Sequence, residues 1–533
     1  MISSSQVSQW SLGWPELTTQ KDDLTLALLT ILAITLTISW FRSFCATSLL
    51  PPGPRGLPIV GYLPFLRPNL HHEFNKLAQR YGPVFKLKLG GKTLIVVSSS
   101  DLAKVVLREQ DDIFANRDPP LAGAIISYGC QDILFSNNNS YWRNLRKVLV
   151  SEVLSNKNVE GSRIFRVREA RKTVNYVYGM IGSEVNIRQI AFFTSLRVVT
   201  NMLWGTSLVE DEKSNNINRD FEEVITNIVE LVGRANLSDF FPILSRLDLQ
   251  GIERDTKQEL KTMDGIFEDI IEGRIMLYKT KSKEAVVVEQ EGKKDFLQIL
   301  LEYKNQNTTA TSFNITQIKA LFMNIVSGGT DTTSTMVEWT MAELLQNPTV
   351  MKKVQDELEE VVGLNNIVEE SHLSKLHHLD AVIKETLRLH PPLPLLITRC
   401  PSQSCNVGGY TIPKGSDVYL NVWSIHRDPK YWDNPSEFNY NRFLNLDSTT
   451  KYDYNGNNFN FLPFGSGRRR CPGIPLGDKM LVYFLASLLH SFNWALPSGK
   501  EHELSSKFGI VLKKREPLIA IPSQRLSSQN LYM

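Results

Sequence analysis

The clearest chemical potential lies late in the chain, in Phe461-Leu462-Pro463-Phe464-Gly465-Ser466-Gly467-Arg468-Arg469-Arg470-Cys471-Pro472-Gly473. Three glycines and two prolines force a tight backbone loop, and Cys471 stands just before an apolar helical run over 480–492. A thiolate there needs its charge offset by a metal such as iron, by backbone N–H groups and by the N-terminus of the following helix. Phe464 is placed to shield the sulfur from water, and Arg469 to meet an anion. The competing reading is a basic, glycine-rich surface turn around an ordinary buried cysteine. That reading suits a lone cysteine better than this spaced set.

A second constellation sits inside a predicted helix over 315–346. Asn314 and Gln317 are spaced as a capping box, and Asn347-Pro348 closes the far end. At about 1.5 Å per residue this helix spans roughly 48 Å, enough to cross the whole body. Its middle is apolar on nearly all sides, so it should be buried, yet it carries Gly328-Gly329-Thr330-Asp331-Thr332-Thr333. Paired glycines weaken a helix, and a buried carboxylate is costly unless paired or functional. The combination points to a local opening for a side chain, water or O2. Close helix packing with Asp331 in a salt bridge is the plainer alternative.

Glu385 and Arg388 stand three residues apart and share a helix face, just before His390-Pro391-Pro392 stops that helix. Trp142 and Arg146 are spaced four apart, Arg399 follows at a distance, and each arginine taken singly reads as surface charge.

The pattern Phe464-x-x-Gly467-x-Arg469-x-Cys471-x-Gly473 resembles the haem-binding loop of the cytochrome P450 superfamily. The resemblance implies a mainly helical fold with small peripheral β-sheets and heme b as cofactor. It also implies Cys471 as the iron ligand, pushing electron density towards O–O cleavage. It assigns Asp331 and Thr332 to proton delivery on the distal side. Trp142, Arg146, Arg399 and Arg469 become partners of the haem propionates, since planar guanidinium groups suit carboxylates. Glu385, Arg388 and Arg442 become a structural clamp, although Tyr440 and Asn441 stand where the family carries proline and glutamate. The resemblance is closest to plant microsomal members, in the subfamily that includes cotton (+)-δ-cadinene 8-hydroxylase. Most of that closer match is carried by the run from Asp331 to Leu344.

Family-like pocket positions fall on Ile125, Ile126, Met323, Ile325, Val326, Leu395, Leu396, Ile397 and Val511. Such a lining suits a hydrocarbon or weakly oxygenated terpene, a cadinene-like sesquiterpene above all. Asn324, Ser327 and Thr398 are the groups that would serve a flavonoid instead. Electrons from NADPH are expected through a separate reductase, because no G-x-G-x-x-G follows a strand. Arg143, Lys147, Arg468 and Arg470 would form its basic docking face on the cysteine side. An electron-independent haem isomerase or dehydratase would lack the acid–threonine pair. A non-catalytic haem-binding membrane protein is the rival of another class.

The elements that must position these groups follow from the rest of the chain. Of 533 residues 42% are hydrophobic, enough for a large core, and the formal net charge of +3 with no basic block excludes nucleic acid as a partner. Five unpatterned cysteines argue against a disulfide framework and for a reducing compartment. Residues 24–41 carry no charge and, as a helix of roughly 27 Å, just cross a bilayer core. They are read as a single-pass anchor in the endoplasmic reticulum membrane. Residues 1–23 would be lumenal, and Leu50-Pro51-Pro52-Gly53-Pro54-Arg55-Gly56 would close a stiff hinge over 42–56. The catalytic body, 57–533, would face the cytosol. It begins with a β-hairpin turning at Gly90-Gly91 and continues mainly helical from 140 to 389, with surface loops at 279–294 and 305–312. Short strands are expected near 410–412, 418–420 and 509–512.

Overall fold

The computed structural model describes residues 49–205, 214–280, 295–305, 313–444, 452–499 and 503–533, together with seven residues between 25 and 34. Most of the expected anchor, 24–41, therefore lies outside the described residues. Thr25, Leu26, Ala27, Leu29, Thr30, Ile31 and Ile34 are helical and exposed. Among the described residues no helix is long and apolar enough to cross a membrane.

The principal helices are α1 (Leu70–Tyr81), α2 (Ser140–Val148), α3 (Arg163–Tyr178), α4 (Ile187–Trp204), α5 (Ser214–Gly233) and α6 (Ile252–Thr280). They continue with α7 (Ile315–Gln346), α8 (Pro348–Val362), α9 (His377–Leu389) and α10 (Ile474–Ser491). The expected loops at 279–294 and 305–312 fall almost wholly outside the described residues, and their first residues still belong to helices. Helix α7 runs through the middle, packed along α4 and against α9 and α10. Its capping box forms as the sequence predicts: Asn314 accepts from Gln317 N, and Gln317 accepts from Asn314 N. A near-continuous apolar surface on α7 and α10 makes both of them core helices rather than amphipathic surface ones.

Among the described residues four small sheets lie at the periphery. Strands β1 (Val84–Leu89) and β2 (Lys92–Val97) form the predicted hairpin, with Leu89 opposite Lys92 and Gly90 at φ 55° in the turn. Strand β6 (Asp417–Leu420) adds to β2 in parallel. A second sheet orders β3 (Val185–Asn186), β10 (Ile519–Gln524) and β7 (Phe492–Ala495), so a short strand interrupts the helical stretch where none was expected. Strands β4 (Cys405–Val407) and β5 (Tyr410–Ile412) pair, as do β8 (Ser506–Lys507) and β9 (Lys513–Lys514). The strand expected at 509–512 is instead the turn joining β8 to β9. Leu512 N bonds to Pro392 O and Leu512 O accepts from Trp339 Nε1, so its backbone polar groups are spent on neighbours other than a ladder.

Candidate functional site

The cysteine loop folds back on itself through Cys471 N, which donates to Phe464 O at 3.1 Å. Gly467 has φ 70°, and a Cβ there would lie 2.2 Å from Leu107 O, so only glycine lets the loop approach that carbonyl. Phe464 packs edge-on against Tyr454. Cys471 stands two residues before Gly473, the N-cap of α10, and the residue is partly buried. Burial pushes its thiol up, while the Gly473 N–H and the cations Arg146 and Arg470 pull it back towards the thiolate. A loop amide and two cations thus act at the sulfur, and burial outweighs them.

Around this loop the structure gathers a set of enclosed arginines. Arg399 is 2% exposed and donates Nη2 to Ser466 O at 3.2 Å, while its buried Nε and Nη1 have no hydrogen-bond partner. The nearest acid, Asp111, is 3.9 Å from Nη1, beyond hydrogen-bond reach. Arg469 lies over the Trp142 ring at 3.9 Å and donates to Ala115 O, Ile133 O and Ser136 O. Arg146 reaches Arg470 O at 2.5 Å, and Trp142 Nε1 donates to Ile133 O at 2.9 Å. Burial, then Arg399 and Arg146, push Arg469 down to about 9; burial pushes Arg399 down to about 10, against the pull of Asp111. Such a cluster favours an acidic ligand, and the unpartnered donors of Arg399 suit a carboxylate.

Sequence reasoning missed a fourth member, Arg117. It is 8% exposed, donates to Leu134 O, Ile397 O and Thr398 O, and adds its charge to Arg399 and Arg469. No spacing marks it in the sequence, where it sits in an ordinary loop before Pro119-Pro120.

In α7 the helix is unbroken through Gly328 and Gly329, so the expected local opening is not a break in its backbone. Thr332 donates its hydroxyl to Gly328 O at 2.7 Å, bonding back one turn. Gly328 is exposed and Ser327, Gly329 and Thr332 are half-exposed, although residues on either side are buried; a Cβ at Gly328 would touch nothing within 4 Å. That open face is made by missing side chains rather than by unwinding. Asp331 is buried and ion-paired to Lys513 at 2.5 Å.

Glu385 and Arg388 are both fully buried and bonded twice, at 2.7 and 2.8 Å. Arg388 also donates to His426 O, Pro435 O and Glu437 O. Arg442 reaches Glu385 Oε1 at 3.4 Å, and Asn439 N donates to the same oxygen, so Tyr440 and Asn441 do not prevent the three charges from meeting.

Of the pocket positions, Ile125, Ile325, Leu396 and Ile397 keep open surface. Ile126, Met323, Val326 and Val511 are buried, and Leu395 packs in the small cluster between α1 and the first sheet. Leu396 has φ 50°, a conformation that costs a branched residue energy, and its side chain lies 3.6 Å from where a Cβ on Gly465 would stand. The polar candidates are differently committed from what the sequence suggested. Asn324 Oδ1 accepts from Ile133 N and Leu134 N, and its Nδ2 donates to Asp132 Oδ2 at 2.9 Å. The Thr398 side chain hydrogen-bonds Tyr419, and Ser327 Oγ has Met323 Sδ at 3.8 Å.

A thiol at a helix start and a cluster of enclosed arginines, one of them with unpartnered donors, fit a site for a cofactor that carries carboxylates. The family model for cytochrome P450 matches residues 51–521, and the chain belongs to that family. It is 37% identical to geraniol 8-hydroxylase of Catharanthus roseus over 94% of this chain and 99% of the relative. It is 35% identical to flavonoid 3',5'-hydroxylase of Solanum melongena, over 90% and 91%. Among solved structures it resembles a zebra fish cytochrome P450 with progesterone, at TM-score 0.72 and 26% identity, covering 86% of this chain and all of that one. The protein is therefore a cytochrome P450 monooxygenase that uses haem iron, O2 and NADPH-derived electrons delivered by a reductase. Its relatives place it with the plant terpenoid and flavonoid hydroxylases.

Proposed function

We propose that the protein hydroxylates a cadinene-like sesquiterpene, with Cys471 as thiolate ligand of the haem iron. When bound, the haem supplies reductive activation of O2. The chain's own residues do the rest. Arg146, Arg399 and Arg469, with Arg117, would hold its carboxylates; Trp142, whose indole N–H is spent on Ile133 O, would back the Arg469 guanidinium, and Phe464 would keep water from the sulfur. Asp331 passes protons to the Thr332 hydroxyl, whose oxygen keeps a lone pair free while its proton is spent on Gly328 O. Glu385, Arg388 and Arg442 lock the polypeptide behind the site.

The observation that carries the substrate reading is the commitment of Asn324 and Thr398 to protein partners. A polyphenol entering that lining would find Ser327 uncommitted to any oxygen or nitrogen, and each further hydroxyl buried without a partner would cost about 1–3 kcal/mol. A sesquiterpene hydrocarbon has none to satisfy. The 35% identity to a flavonoid hydroxylase favours the second reading, a flavonoid or other phenolic substrate. Reductase-supported turnover against sesquiterpenes, monoterpene alcohols and flavones decides between them. The expected result is product and a substrate-induced spectral shift with a cadinene. Turnover of a flavone with neither signal from any terpene would establish the second reading.

We place the body on the cytosolic side of the endoplasmic reticulum membrane, anchored by residues 24–41. Exposed Arg143 and Lys147, one turn apart on α2, and exposed Arg468 supply a basic face for the reductase, with Arg470 beside them bonded to Asn455 O. Asn138, Asn236, Asn307 and Asn314 fit the glycosylation pattern. Asn236 is 3% exposed and caps a short helix, so a glycan there would disrupt the fold; Asn307 lies outside the described residues. In microsomes the body should be open to added protease and unglycosylated at all four. A glycan on any of them would reverse the orientation.

A further inference from the structure

Four enclosed arginines, Arg117, Arg146, Arg399 and Arg469, act on one another across the site, and two acids of the chain face them. Asp132 is fully buried, with its oxygens spent on the amides of Phe135 and Ser136 and on Asn324 Nδ2. Asp111, its side chain 14% exposed, is held differently. Its Oδ2 accepts from Arg468 N at 2.9 Å and lies 3.4 Å from Arg468 Nε, which ties it to the cysteine loop. Its Oδ1 is buried with no hydrogen-bond partner, 3.9 Å from Arg399 Nη1, which is itself unpartnered. Gly467 closes the contact from the loop side, since a Cβ there would lie 2.8 Å from that oxygen.

Burial lowers Arg146, Arg399 and Arg469, and Asp111 is the acid that pulls on all three in return. Burial pushes its own carboxyl up, while the Arg468 N–H, Arg399 and Arg468 hold it down and Asp112 opposes them. The charges come close to balance: four cations against two acids leave room for the two carboxylates of a haem b. Asp111 is therefore one of the negative groups that such a site needs, and it stands against the loop that carries Cys471. A negative charge held near iron in a protein interior favours the oxidised metal.

We propose that Asp111 is a positioning residue that fixes the cysteine loop through Arg468 N and, by its charge, lowers the reduction potential of the iron. Its two oxygens divide the work: Oδ2 pins the loop, and Oδ1 opposes the charge of Arg399. The electron concerned is the single one by which the reductase converts ferric to ferrous iron. Asp111 neither gives nor takes a proton in that step. The inference rests on the reading of Cys471 as the iron ligand and of the arginines as partners of the haem carboxylates.

The test uses the full-length holoenzyme and reads the ferric–ferrous midpoint potential, the ferrous–CO spectrum and the rate of haem loss to apomyoglobin. Asp111→Asn keeps an oxygen for Arg468 N and removes the charge, whereas Asp111→Ala removes both. Asp112→Asn removes a charge one residue along, at an exposed position. Asp111→Asn should make reduction easier on the order of tenfold, a rise of about 59 mV for one electron. Its ferrous–CO band should stay strongly red-shifted, and its haem should be lost no faster than from the unaltered enzyme. Asp111→Ala should raise the midpoint as far and also lose haem faster, and Asp112→Asn should do neither. An unchanged midpoint in Asp111→Asn, or a rise equalled by Asp112→Asn, would overturn the inference while the red-shifted band upholds the iron ligand. A change confined to Asp111→Ala, or loss of haem from Asp111→Asn, would make Asp111 a pin for the loop alone and overturn it too. A ferrous–CO band without red shift in the unaltered enzyme would remove the haem-thiolate reading itself, and the inference with it.

Discussion

Arg388→Met should leave no folded protein, measured as loss of soluble holoenzyme and of the cooperative denaturant transition. Breaking a buried ion pair by removing one partner costs about 3–5 kcal/mol, because the other charge is left in the core. Glu385 would be that charge, fully buried and keeping only the more distant Arg442 and the Asn439 N–H. Arg388 also satisfies the buried carbonyl of His426, worth about 1–3 kcal/mol if left unpaired, and the part-buried carbonyls of Pro435 and Glu437. The loss is comparable with the lower part of the roughly 5–15 kcal/mol that hold a domain folded. Arg442→Met removes a partly exposed, 3.4 Å contact and should cost about 1 kcal/mol or less. Arg388→Met protein within about 1 kcal/mol of the unaltered enzyme would contradict the clamp.

That clamp shows what was legible in the sequence. Glu385 and Arg388 share a face by helical spacing alone, but the three carbonyls that Arg388 crosses to come from 426–437, and no local pattern announces them. The same division runs through the site. The cysteine loop could be read because its glycines and prolines encode geometry locally; Gly465 and Gly467 take φ 67° and 70° in its turns. Helix α7 and its cap could be read because periodicity and capping chemistry are local too. Arg117 and Lys513 could not. Each looks like solvated charge in the sequence, and each is enclosed by segments more than a hundred residues away, Ile397 and Thr398 for the one and Asp331 for the other. Asn324 was misread for the same reason: its amide faces the 132–134 turn, almost two hundred residues earlier, and not a ligand. The turn at 509–512 has the apolar run of a strand but spends its amides on Pro392 and Trp339.

The second large effect concerns Cys471. In the structure its sulfur stands by the N-cap of α10, with the Gly473 N–H and two arginines offsetting a negative charge, a setting built for a thiolate that binds metal. Burial pushes the thiols of Cys130, Cys400 and Cys405 up as it does that of Cys471, but none of the three has two arginines and a helix-start N–H acting on it. The most direct measurement is therefore the ferrous–CO absorption spectrum of Cys471→His beside that of Cys130→Ser, Cys400→Ser and Cys405→Ser. The strongly red-shifted Soret band that marks a thiolate opposite CO should vanish in Cys471→His, even where haem is retained, and persist in the other three. A red-shifted band surviving in Cys471→His would contradict the assignment of the iron ligand.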